Sequence, residues 1–220
     1  MNYKKYYSTF TFKLTEHKKE IEKKYNTNII NPFKGCYINS ASKLIYMHID
    51  KCASTSISTA LSEKYFIACD IFKDKEELLL QNLISKDYKF FAVIRDPYSR
   101  WISGLSEFIT RFKATEKYII SQVSNHKYIF DEHTIPQHCS LEICYKNNIE
   151  INYLRLDNRL EEKINDLIDG PDKISLNKLR KSNPLIKLKC QNIFEKYIKP
   201  NPDEFNNLYK VDFDLYSKSI

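Results

Sequence analysis

Glycine is nearly missing from this chain: Gly35, Gly104 and Gly170 are its only three in 220 residues. None lies in the stretch just ahead of Lys51, so the Lys-x-x-Ser-Thr stretch that starts there is not a Walker A loop, which requires two glycines ahead of Lys-Ser/Thr. Cysteine pairing is missing too. Cys36, Cys52, Cys69, Cys139, Cys144 and Cys190 include no Cys-x-x-Cys, and a chain long enough to bury a full core needs no staples. Cys139 and Cys144 have His133 and His138 nearby, but not at the spacings usual for zinc. No apolar run approaches the ~20 residues of a membrane span. Residues 1–12 are basic and aromatic, without a continuous apolar segment or a small-residue cleavage site, so no signal peptide is expected. A reduced cytoplasm is the expected setting. An acidic excess is absent as well: 35 Lys and Arg against 28 Asp and Glu give a net charge of +7. That balance favours anionic partners, among them a nucleotide, nucleic acid, an acidic glycan or a membrane surface. The basic residues are dispersed and form no stripe, which counts against nucleic acid.

What is present is an alternation of strand and helix signals. Apolar runs at 43–49, 66–69, 89–94 and 151–156 read as strands. Helical patterns follow at 55–65, 73–85, 97–112, 116–124 and 160–168, with others at 15–25 and 202–209. Asp96-Pro97 is a helix start, with Asp as cap and Pro at the first helical position. Residues 125–148 read as irregular. Such alternation predicts an α/β fold with a mainly parallel sheet, in a single domain over 1–220.

Two strand-to-helix junctions carry anion chemistry. The first is Lys51-Cys-Ala-Ser-Thr-Ser56, after the strand at 43–49. Backbone N–H groups at a helix start, a Lys charge and small hydroxyls suit a phosphate. Cys52 is not a phosphatase nucleophile, because Ser58 stands where a Cys-x5-Arg loop requires Arg. The second junction is Arg95-Asp-Pro-Tyr-Ser-Arg-Trp-Ile-Ser103, after the strand at 89–94. Arg suits bidentate phosphate contact, and Ser103 lies under two turns into the helix. Arg100 is expected in solvent or paired with a helix acid. Two such sites suggest one ligand with two phosphates.

Together these segments resemble the sulfotransferases that use 3′-phosphoadenosine-5′-phosphosulfate (PAPS), most nearly the carbohydrate, Golgi-type branch. Two further segments are similar to that family: His133-Thr-Ile-Pro-Gln137 resembles its His-x-x-Pro-Gln stretch, and Tyr209-Lys-Val-Asp212-Phe213 its C-terminal Tyr-x-x-Asp-Phe. The matches span roughly 43–216, leaving 1–40 as an extension. The resemblance implies a P-loop-like, three-layer α/β/α domain around a mainly parallel sheet. It implies that Lys51, Ala53, Ser54, Thr55 and Ser56 bind the 5′-phosphosulfate, and that Arg95 and Ser103 bind the 3′-phosphate. It also implies sulfuryl transfer to an acceptor hydroxyl, expected on a saccharide or glycolipid, without a metal. The chain departs from the family in three ways. Ala53-Ser54 replaces a Gly-Gly or Gly-Ser pair, Asp50 replaces a Pro, and there is no membrane anchor, which favours a bacterial or viral enzyme over a Golgi one.

The general base stays open. His133 lies in the matching segment, and histidine is a residue type suited to proton transfer at neutral pH; Asp70, at a strand end on the same sheet edge, and Glu107 are rivals. His48 reads as a structural neighbour of the loop, and His126 and His138 come behind. Lys178, Arg180, Lys181 and Ser182 form a basic loop that either closes over the nucleotide or is solvated. Two other functions remain: an atypical nucleotide or nucleoside kinase, and a non-catalytic polyanion-binding protein.

Overall fold

The computed structural model describes residues 35–64, 67–69, 86–168, 173–176 and 183–220. The helices expected at 15–25 and 73–85 and the basic loop around Arg180 lie outside these residues, as does Asp70. Within them a five-stranded open sheet is flanked by eight α-helices. The strands are β1 (Cys36–Asn39), β2 (Leu44–Met47), β3 (Ile67–Cys69), β4 (Lys89–Ile94) and β5 (Ile151–Arg155). The helices are α1 (Ser54–Ser62), α2 (Pro97–Phe112), α3 (Glu116–Ser124), α4 (Glu142–Lys146), α5 (Leu160–Leu167), α6 (Pro184–Tyr197), α7 (Asp203–Leu208) and α8 (Lys210–Lys218). A 3₁₀ turn (Gln137–Leu141) precedes α4.

The sheet order is β3-β1-β2-β4-β5. β2 pairs parallel with β4, and β4 with β5, but β1 pairs antiparallel with both β2 and β3. The expected mainly parallel sheet is therefore mixed in its pairings, although four of its five strands run the same way. The reason is a tight hairpin. Asn39 Oδ1 accepts from Ala41 N (2.9 Å) and Ser42 N (3.0 Å), turning the chain straight from β1 into β2. The sheet accordingly begins at Cys36, ahead of the core start expected at 43.

β2 is buried at all four residues, and β4 at every residue after Lys89, as continuous apolar runs covered on both faces should be. α1, α5 and the 3₁₀ segment close over this sheet core. A second core is mainly helical, with Tyr128 and Phe130 added from the loop ahead of His133. Trp101 and Leu105 of α2 meet Cys190 and Phe194 of α6, and Phe205 of α7 stacks on Tyr209 with ring centroids 4.4 Å apart. α2 touches both worlds, because its amino end continues directly from β4. Asp96 Oδ1 accepts from Ser99 N (2.8 Å) with Pro97 at the first position, as the sequence predicts. Among the described residues no helix is long and apolar enough to cross a membrane.

Candidate functional site

The carboxyl ends of the parallel pair β2 and β4 open at one sheet edge, the usual place for a ligand crevice in α/β sheets. From β2 the chain runs through His48 to Lys51 and into α1. φ is +66° at Lys51 and +60° at Ala53 but not positive at Cys52 or Ser54. Alternation of this kind turns successive N–H groups toward a shared hollow. Ala53 is the N-cap of α1 and has no side chain to offer its helix. The first N–H groups of a helix have no internal partner, and among the described residues no side-chain cap bonds those of α1. α2 differs, since Asp96 caps it. Of the expected loop residues, Ser54 is buried, Ser56 half-buried and Thr55 exposed in the first turn of α1.

Arg95 sits at the end of β4, and its guanidinium donates to the Lys51 carbonyl (NH1···O 3.0 Å). The two expected anion segments are thus one wall. Burial lowers the Arg95 pKa, nearby Arg100 adds to the effect, and Cys52 and Asp96 oppose it. Arg100 overturns the expectation of a solvated or acid-paired side chain. It is 1% exposed and donates from Nε to the Asp50 carbonyl (3.0 Å) and from NH1 to the Ile135 carbonyl. Among the described residues its NH2 is buried without a hydrogen-bond partner. Two guanidiniums therefore brace the backbone carbonyls of Asp50 and Lys51. Ser103 is buried on α2, one turn beyond Arg100, and among the described residues no hydrogen bond links it to Arg95.

The Lys51 ammonium meets Glu107 Oε2 of α2 at 3.2 Å. Burial alone would raise the Glu107 carboxyl, but Lys51, with help from His133 and Arg111, takes it below the usual carboxylate range. Glu107 is thus an ionised neighbour of both Lys51 and His133. His133 is buried in a tightly tied loop. Asp131 accepts from His133 N through Oδ1 (3.0 Å), and its Oδ2 lies in hydrogen-bond contact with His133 Nδ1 (2.8 Å). Thr134 Oγ1 accepts from the N–H groups of Phe130 (2.8 Å) and Asp131 (3.0 Å). Asp131, Glu132 and His133 bring one ligand atom each within 4.8 Å, a spacing a cation would accept. Those atoms already serve one another: Asp131 holds His133 Nδ1, and Arg111 donates to Glu132 Oε1 at 2.8 Å.

Gln137 joins the pieces. Its amide donates to the Arg95 carbonyl (2.9 Å), and its Oε1 accepts from Arg95 N (3.2 Å) and Cys52 Sγ (3.3 Å). Asp212 of α8 takes the N–H groups of Gln137 (2.6 Å) and His138 (3.0 Å), and Tyr209 donates its hydroxyl to the Thr134 carbonyl. The two segments of lesser weight in the sequence, His133–Gln137 and Tyr209–Phe213, are therefore in direct contact. Burial pushes the Cys52 thiol up to about 11, which leaves it an uncharged hydrogen-bond donor and no nucleophile. Among the other histidines, His48 lies between Ser58 Oγ (3.4 Å) and Asp50 (3.5 Å), His126 contacts Tyr128 Oη (3.1 Å), and His138 is held by Asp212 (2.9 Å). Cys139 and Cys144 are both buried, and Cys139 Sγ lies 3.8 Å from His138 Nε2.

Sequence reasoning passed over Asp131, Gln137 and Asp212 as individual residues. Two of them stood in motifs it had quoted. Asp131 had a signal of its own in Asp-x-x-Thr, a local side-chain–backbone turn pattern. No family model, no curated protein and no solved structure matches this chain.

Proposed function

We propose that the protein is a PAPS-dependent sulfotransferase with a P-loop-like α/β core, acting on a hydroxyl acceptor, a saccharide or glycolipid, in a reducing compartment. The observation that carries this reading is the hydrogen bond from Arg95 to the Lys51 carbonyl. It makes two cationic segments, 44 residues apart, a single surface at the carboxyl edge of the sheet. A ribose with a phosphate on each side is a compact polyanionic group of the kind such a surface suits. The uncapped start of α1 and Lys51 would take the 5′-phosphosulfate, with Arg95 and Ser103 at the 3′-phosphate.

The chemistry follows from the charges. The acceptor oxygen attacks sulfur in line, the S–O bond to the 5′-phosphate breaks, and negative charge grows on the departing phosphate oxygen. Lys51 and the loop amides oppose that charge from fixed positions. For this the Lys51 ammonium exchanges its present partner, Glu107, for the nucleotide. His133 takes the acceptor proton; Glu107, already ionised beside Lys51, is the weaker base. Products are a sulfate ester, adenosine 3′,5′-bisphosphate and a protonated His133. Calorimetric titration tests the reading. Adenosine 3′,5′-bisphosphate should bind saturably without metal, and ATP with Mg²⁺ should not compete. Binding of Mg²⁺–ATP alone would turn the assignment to a kinase, and binding of neither would leave a polyanion-binding protein.

A further inference from the structure

The loop that carries His133 contains a second functional group. Asp131 receives two hydrogen bonds from the same residue, one from its backbone and one from its ring. A carboxylate that is ionised only accepts, so the ring nitrogen facing it must carry the hydrogen. That assigns the Nδ1–H tautomer and leaves Nε2 with its lone pair bare. Among the described residues Nε2 has no hydrogen-bond partner, and it is not one of the sealed, unpartnered atoms. The other charges around the ring are Glu132 of the same loop (3.9 Å from Nδ1), Glu107 of α2, and Arg111, which is held on Glu132. None of them bonds Nε2. We infer that Asp131 is a positioning residue that locks the His133 tautomer and aims a bare Nε2 at the acceptor hydroxyl. The inference rests on His133 being the base of the transfer. Asp131 touches neither donor nor acceptor; it acts through the ring.

Asp131→Asn isolates this role. The Asn oxygen is still needed by the His133 N–H, so its amide nitrogen faces Nδ1 and donates. Nδ1 then becomes the acceptor, the hydrogen moves to Nε2, and the ring can no longer take a proton from the acceptor. The tautomer is read directly by two-bond ¹H–¹⁵N correlation spectra of the neutral imidazole in the ligand-free protein. The wild type should show a protonated Nδ1, and Asp131→Asn a protonated Nε2. Turnover in the variant should fall by about 10²- to 10⁴-fold, the range of a lost general base, with affinity for adenosine 3′,5′-bisphosphate unchanged. A protonated Nε2 in the wild type overturns the inference even if the variant fails to fold. So does an Asp131→Asn protein that keeps its turnover. Failure of the wild type to bind the bisphosphate would instead count against the sulfotransferase reading, and the tautomer result would stand apart from it.

Discussion

Three side chains, Arg95, Arg100 and Gln137, hold the crevice in shape, and none of them needs a ligand to do so. Arg95 is the one of the three that a nucleotide would also contact. Replacing it with Ala should weaken binding of adenosine 3′,5′-bisphosphate by roughly 10- to 150-fold, the equivalent of about 1.5–3 kcal/mol for one charge-assisted hydrogen bond. Calorimetry would measure it. His138 makes a different kind of prediction. Burial alone would lower its pKa, but the hydrogen bond to Asp212, aided by Cys139, raises it from 6.5 to about 9. A group with a raised folded-state value stabilises the fold fully below about pH 6.5, and that contribution fades as pH climbs through about 9. Melting temperature should therefore decline between pH 7 and 10, and His138→Gln should flatten the decline. The placement of Lys51 and Arg95 just beyond β2 and β4 was legible in the sequence, because a Lys or Arg after an apolar run is a local pattern. Arg100 was not. Its burial depends on the carbonyls of Asp50 and Ile135, which come from other parts of the chain.

At the level of elements, α2 is the spine of the site. It starts from Asp96 beside Arg95, presents Glu107 to Lys51, and carries Gly104 against the loop of His133. A Cβ at Gly104 would lie 2.2 Å from the His133 carbonyl oxygen and 2.8 Å from its carbon. Backbone cannot yield as a side chain can, so the loop must move. Gly104→Ala should cost about 1–3 kcal/mol, as overpacking does. It should also lower turnover more than nucleotide affinity, because it displaces the base and spares the cradle. Thermal melts and steady-state kinetics distinguish these effects. The long elements were readable: α2 ends at Phe112 as its pattern predicts, and β4, α3 and β5 match to within a residue. β1 escaped notice because four residues give too few positions to show alternation. α6 escaped as well, although Asn183-Pro184 repeats the cap-and-proline signal that marked α2. The last helix hid inside a motif read for its likeness and not for its periodicity.

Across the whole molecule the sheet core and the helical core meet at the site through α2 and the 3₁₀ segment, and α8 closes the arrangement from the far end of the chain. Asp212 and Tyr209 hold a segment some 75 residues upstream, a dependence visible only in three dimensions. The same is true of the mixed sheet. Alternating strands and helices predict strand direction well, but they cannot reveal a short reversed strand wedged between two others. The bracing of the Asp50 and Lys51 carbonyls by buried guanidiniums has a kinetic consequence. A backbone cradle already braced needs no loop closure, and the side-chain exchange of Lys51 from Glu107 to the nucleotide is fast, so the speed of capture is left to encounter. With a surplus of seven positive charges on the protein, a polyanionic nucleotide should be drawn in by the long-range field. Stopped-flow traces should then show one bimolecular phase whose rate constant drops steeply as ionic strength rises and the Debye length shrinks. A plateau at high nucleotide concentration would reveal a hinge where the geometry has a fixed wall.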